Sequence, residues 1–256
     1  MSNSEVTLSS DGDDTKRRKP SAVTGLQIVE YLALNPRGAR FRDIAAAVTM
    51  DPGQTHRIIT KMAEDGWIIP VGEDGYYSLS ARVIRLSTTY ISKLDLAEHA
   101  QPFLNELSEE TRESVFIGEL RNDAIVCVGR RVADRTLRVW TEVGDSWPLP
   151  GSAVGTAVLA ARAARLNESE KKVSKEIAAA WSLGYARDYG RYRDGVQAVA
   201  APIRDASGVE IGALALSGPV SRIGEPEVEK MGPMARRAAE AISERLGYIA
   251  GSSDKF

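Results

Sequence analysis

The stretch "DPGQTHRIITKMAEDGWI", residues 51 to 68, decides how the first part of the chain is read. Asp51 can accept hydrogen bonds from the first amides of a helix, and Pro52 after it loses nothing by lacking an N–H, because the first four amides of a helix have no partner within it. Ile58, Ile59 and Met62 then share a face that predicts burial, and Gly66 ends the run. The other face carries Gln54, Thr55, His56, Arg57 and Lys61. Alone, it is either a solvated surface or one that reads a partner. The flanking sequence decides.

Upstream, Val23, Leu26, Ile28, Val29 and Leu32 recur at helical spacing until Pro36 and Gly38 break the pattern. Phe41, Ile44, Ala45 and Val48 predict a short second helix, which Arg40 and Arg42 open. Positive charge at a helix start opposes the macrodipole unless a phosphate lies close, so both are candidate phosphate contacts, with plain solvent exposure as the alternative. Downstream, "WIIPVGEDGYYSLS" alternates apolar and polar residues around Glu73-Asp74-Gly75, a hairpin signal. Three helices and a hairpin make a winged helix-turn-helix, expected over residues 20–80. In that plan the third helix enters the major groove of double-stranded DNA, which makes Gln54, Thr55, His56, Arg57 and Lys61 candidate contacts to base edges and phosphates.

Composition limits how such contact can be made. The 256 residues hold 33 Lys and Arg against 35 Asp and Glu, a formal net charge of −2, so any nucleic-acid contact is local. Residues 1–19, "MSNSEVTLSSDGDDTKRRK", have little to bury and are expected to be a disordered tail. No signal peptide opens the chain, and no apolar run approaches the roughly 20 residues that span a bilayer. A cytoplasmic protein without membrane contact is expected. One cysteine, Cys127, and two histidines, His56 and His99, do not assemble a metal site or a catalytic triad, and no cofactor is expected.

Beyond the hairpin, Val83, Leu86, Tyr90, Ile91, Leu94 and Leu104 predict connector helices, broken softly near Asp95 and Pro102, with the connector itself expected over residues 81–100. Val83, Leu86, Tyr90 and Leu94 are candidates for part of a self-association seam, core packing being the alternative. Residues 101–256 read as a second domain. "SVFIGEL", "AIVCVGR" and "LRVWTEV" predict strands, "GSAVGTAVLAARAARL" and "NESEKKVSKEIAAAWSLG" helices, "VQAVAAPIRDASGVEIGALALSGP" two strands, and "EPEVEKMGPMARRAAEAISERLGYI" a closing helix. A mixed sheet with helices follows, and an α+β class overall. "GSAVGTA" lacks the lysine of a P-loop and the spacing of a nucleophile elbow, so its small residues point to close packing. Arg187, Arg191 and Arg193 beside Tyr189 and Tyr192 form either a solvated loop or a lid over an anionic ligand.

Two separated signatures, "THRIITKM" followed by "GWI", and "AAPIRDASG" followed by "ALALSGP", resemble the IclR family of bacterial transcription regulators, over about Pro20 to the C-terminus. The resemblance implies an N-terminal winged helix-turn-helix, a GAF-like C-terminal domain that binds a small metabolite, and a dimer or a dimer of dimers on the DNA operator. It also implies an effector site with Asp188 and Ser217 as polar contacts and Trp147, Ala153 and Val154 as wall. The chain departs from the family's habit at Pro150, where histidine is common, at Thr156, where lysine is common, and at Ala198, where a cysteine or polar residue is common. Ala198 enlarges the effector site, so a bulkier or more apolar organic acid is expected, aromatic and hydroxylated rather than two-carbon.

The leading expectation is therefore a metabolite-controlled DNA-binding regulator that is not an enzyme. One rival is a GAF-like enzyme or redox sensor using Cys127. Against it, the apolar neighbours of Cys127 predict burial and a blunted thiol. The other rival is a constitutive DNA-binding protein without an effector.

Overall fold

The computed structural model describes residues 21–48, 50–72, 75–91, 95–169 and 172–249, and the chain divides into two compact units, residues 1–92 and 93–256. The expected tail over residues 1–19 and the turn residues Glu73 and Asp74 lie outside the described residues.

The first unit contains α1 (Ser21–Ala33), β1 (Ala39–Arg40), α2 (Phe41–Val48), α3 (Pro52–Glu64), β2 (Ile68–Val71), β3 (Tyr76–Leu79) and α4 (Ala81–Ile91). Its antiparallel sheet has the order β1-β3-β2, and Ile28, Leu32, Ile44, Val48, Ile59 and Ile68 form its core. Asp51 caps α3 as its position predicts, its carboxylate accepting the Gln54 amide at 3.1 Å. Two expectations fail here. Arg40 does not open a helix: Gly38 turns the chain at φ 87°, and pairing with β3 draws Ala39 and Arg40 into a ladder opposite Tyr77 and Tyr76. Thr55 does not face outward, because it is fully buried and its hydroxyl donates back to the Asp51 carbonyl at 3.1 Å.

In the second unit, α5 (Leu96–Thr111) starts at the Asp95 cap and runs on through Pro102 without a break, so it crosses residue 100. It is followed by β4 (Ser114–Arg121), β5 (Ala124–Arg131), β6 (Ser146–Pro148), α6 (Ala153–Arg165), α7 (Lys175–Leu183), β7 (Ala186–Tyr189), β8 (Val196–Arg204), β9 (Glu210–Pro219) and α8 (Glu225–Arg245). The six-stranded sheet has the order β6-β5-β4-β9-β8-β7, with α5 and α8 on one face and α6 and α7 on the other. It carries helices as expected, but where a mixed sheet was expected every strand pair among the described residues is antiparallel.

Successive side chains of a strand point to opposite faces, and here that alternation sorts residues by size. Leu214, Leu216, Val199, Ile203, Val115 and Ile117 pack with α5 and α8. Ala213, Ala215, Ala200 and Ala186 meet the alanine-rich α6. Over β7, β8 and β9 the second face is thus built from small side chains, which lets α6 approach closely, while toward β4, β5 and β6 it carries Phe116, Ile125 and Trp147.

"LRVWTEV" forms no strand. Burial alternates only over residues 138–142, with Val139 and Thr141 buried between exposed neighbours, and Leu137 and Val143, in step with the buried pair, are exposed. Its carbonyls, however, accept from side chains instead of a ladder: Arg222 donates to Leu137, the Ser114 hydroxyl to Val139, Arg193 to Trp140 and Arg130 to Thr141. The helix expected over residues 167–184 is also shorter. Asn167 at φ 51° lies just past α6, and Ser174 starts α7 by accepting the Ile177 amide.

Candidate functional site

Two surfaces gather the singled-out residues, one in each unit. On α3, Ile59 is fully buried while His56, Arg57 and Lys61 are exposed and Gln54 is half-buried. No hydrogen bond or ion pair engages the Arg57 guanidinium among the described residues. Lys61 instead reaches Asp65 at 3.1 Å and Glu64 at 3.5 Å, and Asp65 foremost holds its ammonium above the ordinary lysine value. His56 sets its ring edge-on to Phe41, centroids 5.6 Å apart. Exposed Thr60, which sequence reasoning did not single out, lies four residues after His56 and so on the same face.

Of the two arginines assigned to α2, Arg42 is exposed there and lies 3.5 Å from Asp43. Arg40 lies over the Tyr76 ring at 5.1 Å, and its Nε is buried without a partner. The α3 surface offers donors at a helix start, the arrangement that reads base edges and grips phosphates.

In the second unit the strand register sets Asp188, Ala198, Ser217 and Ser114 in one row across β7, β8, β9 and β4. The first three line a cavity of about 460 Å³ of atom-free space, its open mouth included. Trp147, Ala153 and Val154 line it too, so all six residues assigned to the effector site surround one space. Phe116, Val139 and Val196 extend the apolar wall, and Thr141 adds a hydroxyl. Sequence reasoning missed these four, because neither register nor the path of residues 137–143 is written locally.

Helix α6 points its N-terminus into this cavity. The Ser152 hydroxyl accepts the Gly155 amide at 3.1 Å and donates to the Pro148 carbonyl at 2.7 Å. Gly155 is needed for that seat: a Cβ there would lie 1.8 Å from the Leu149 carbonyl oxygen. The amides of Ala153 and Val154 keep no partner among the described residues, and neither do the hydroxyls of Ser217 and Thr141. Bare amides at the positive end of a helix dipole favour an anion.

Asp188 lines the cavity but is already engaged, its carboxylate accepting the amides of Arg191 at 2.7 Å and Tyr192 at 3.3 Å. It therefore organises the 189–195 loop that crosses the mouth. From that loop the Tyr192 hydroxyl reaches the Ser146 carbonyl, Arg193 the Trp140 carbonyl, and Arg191 pairs with Glu176 at 2.9 Å. Arg187 donates to the Tyr185 hydroxyl at 2.9 Å and to that of Tyr189, at the start of this strap, at 3.5 Å.

Cys127 is fully buried on β5, and burial pushes its thiol up to about 11. A thiol so protonated is a poor nucleophile. No group of acidic, histidine or cysteine side chains that could hold a metal ion occurs among the described residues, and no described helix is long and apolar enough to cross a membrane.

Comparison with known proteins agrees in both units. Residues 21–69 match the model described as the IclR helix-turn-helix domain, and residues 88–172 and 166–244 match that of the bacterial transcriptional regulator IclR C-terminal domain. The chain is 26% identical to the HTH-type transcriptional regulator KdgR of Escherichia coli, over 80% of this chain and 85% of that one. It is 24% identical to the transcriptional repressor IclR of Escherichia coli, over 89% and 90%. Among solved structures, HmgR of Pseudomonas aeruginosa matches with a TM-score of 0.71 and 26% identity, over 90% of this chain and 99% of that one.

Proposed function

The chain belongs to the IclR family of DNA-binding transcription regulators, and from that premise we propose that a small organic acid held in the cavity at the α6 N-terminus controls its affinity for an operator. The observation that carries this reading is the cavity itself, into which two unpartnered amides and two unpartnered hydroxyls open among apolar walls. A few polar groups in an apolar pocket are the usual means of orienting a small ligand. The amides of Ala153 and Val154 take the carboxylate, Ser217 and Thr141 bond a hydroxyl, and Phe116, Trp147 and Val139 favour an aromatic body. Ala198 leaves the width for it. Asp188 acts through the strap, because its carboxylate is committed to the Arg191 and Tyr192 amides.

On the DNA side, Arg57, Gln54 and His56 are the base-reading candidates, with Thr60 added to them. Lys61 and Arg42 grip phosphate, each after releasing a carboxylate neighbour. Arg40 supports the wing through Tyr76, and Thr55 supports the helix start. The residues over 20–80 serve as the DNA-binding domain and those from about 93 onward as the effector domain.

The chain works as a dimer or a dimer of dimers on a pseudo-palindromic site, a reading supported by apolar exposure at Val23 and Leu26 of α1 and Ile84 and Leu86 of α4. Of the proposed seam, Leu94 and the side chain of Tyr90 lie outside the described residues.

Selection of bound genomic fragments followed by anisotropy measurements tests the DNA reading. Arg57→Ala is expected to weaken the selected operator by about 1–3 kcal/mol and spare random DNA, whereas Lys61→Ala weakens both alike. Equal losses on both DNAs for Arg57→Ala would remove its base-reading role.

A further inference from the structure

We propose that the cleft between α6, α7 and α8, at the β8 edge of the sheet that β7 leaves uncovered and away from the effector cavity's mouth, is a second small-molecule site that takes a small aromatic carboxylate. The cleft holds about 660 Å³ of atom-free space, mouth included. Its floor is the Ala157, Ala160, Ala161 and Ala164 stripe of α6, and one wall is the half-buried Trp181 of α7. Methyl groups facing an indole across the open cleft suit a flat apolar body.

The charge at the rim selects the acid. Arg204 lies over the Tyr248 ring at 5.5 Å and has no carboxylate partner among the described residues. Arg236 lies across Gly184, where a Cβ would meet its Cδ at 2.7 Å, and holds Glu240 only loosely at 3.6 Å. Two guanidinium groups against one carboxylate leave room for a single negative charge. Glu240 opposes a doubly charged phosphate. The Trp181 indole N–H has no acceptor among the described residues and offers a further donor.

The β8 edge excludes an added peptide strand as occupant. β7 pairs with β8 only as far as Ala186 opposite Ala200, and beyond it Pro202 has no N–H to give a new strand.

Fluorotryptophan incorporated throughout the full chain reads the two cavities separately, the Trp181 and Trp147 fluorine resonances being assigned from W181F and W147F. Benzoate is expected to move the Trp181 resonance saturably, and benzamide to do so at least about tenfold more weakly, since a charge-assisted bond to arginine is lost. Arg204→Gln, or Arg236→Gln should the first variant fail to fold, is expected to weaken the Trp181 response about tenfold and leave the Trp147 response and operator binding unchanged. A Trp181 resonance that stays fixed under saturating benzoate, that follows benzamide equally, or that is indifferent to both substitutions overturns the proposal. Tighter binding of phenyl phosphate overturns the carboxylate assignment. Because Trp147 and operator binding are read independently, failure here is distinguishable from failure of the effector reading.

Discussion

The two faces of the six-stranded sheet are made from the same strands and serve different ends. Toward α5 and α8 the strands present Leu, Ile and Val, which interlock with Met231, Met234 and Ile242 into a filled core. Toward α6 and α7, β7, β8 and β9 present alanine, and beside those alanines the chain keeps the cavity at the α6 N-terminus. The face toward α5 and α8 is filled, and the face toward α6 keeps open space. Alternation in "AVAAPI" and "ALALS" is thus a division of labour between large and small side chains.

The largest expected effect tests the full face. Leu214→Ala removes a fully buried side chain from the α5/α8 core and should cost about 2–5 kcal/mol in denaturant unfolding, the range for large-to-small core changes. A loss below about 1 kcal/mol would mean that this face is no better packed than the other.

Ala198→Leu tests the opposite face. Because its side chain enters the effector cavity, it should change stability by less than about 1 kcal/mol. Calorimetry should show the organic acid no longer binding. A destabilisation matching that of Leu214→Ala would erase the contrast between the faces.

The smallest effect concerns Cys127, which sits on the alanine face yet is fully buried. Its folded-state pKa lies above the unfolded one, so the protonated thiol prevails through neutral pH, and any stability tied to it is lost only as pH rises toward about 11. Alkylation of native protein near neutral pH should therefore be slow and become fast on unfolding. Fast native labelling would revive a redox role.

How much of this was legible in the sequence follows from which contacts are local. The Asp51-Pro52 start, the helices around Ile28 and Ile44 and the strands of "VQAVAAPI" and "ALALSGP" rest on neighbours within a few residues, and they stand where their patterns put them. Thr55 was misread because a residue one turn from a cap can bond backward into its own helix start instead of facing out. Arg40 was misread because β1 owes its existence to β3, more than thirty positions away. The strand expected over residues 137–143 failed for a similar reason: Arg222, Ser114 and Arg193 satisfy its carbonyls from distant parts of the chain. The six effector-site residues came from family resemblance. Their common cavity depends on the Asp188–Ala198–Ser217 register, which no local pattern states. Thr141 and Phe116 went unnoticed because nothing local marks a side chain as facing a void.

Control of DNA binding by the cavity is tested most directly by measuring operator affinity by anisotropy, with and without an organic acid found by thermal shift to stabilise the native chain, for the wild type and for Ala198→Leu. Saturating acid is expected to change wild-type affinity by about five- to 150-fold, the usual span of allosteric coupling, and to leave Ala198→Leu unchanged. Wild-type affinity indifferent to the bound acid, or an equal response from Ala198→Leu, would contradict control by the cavity.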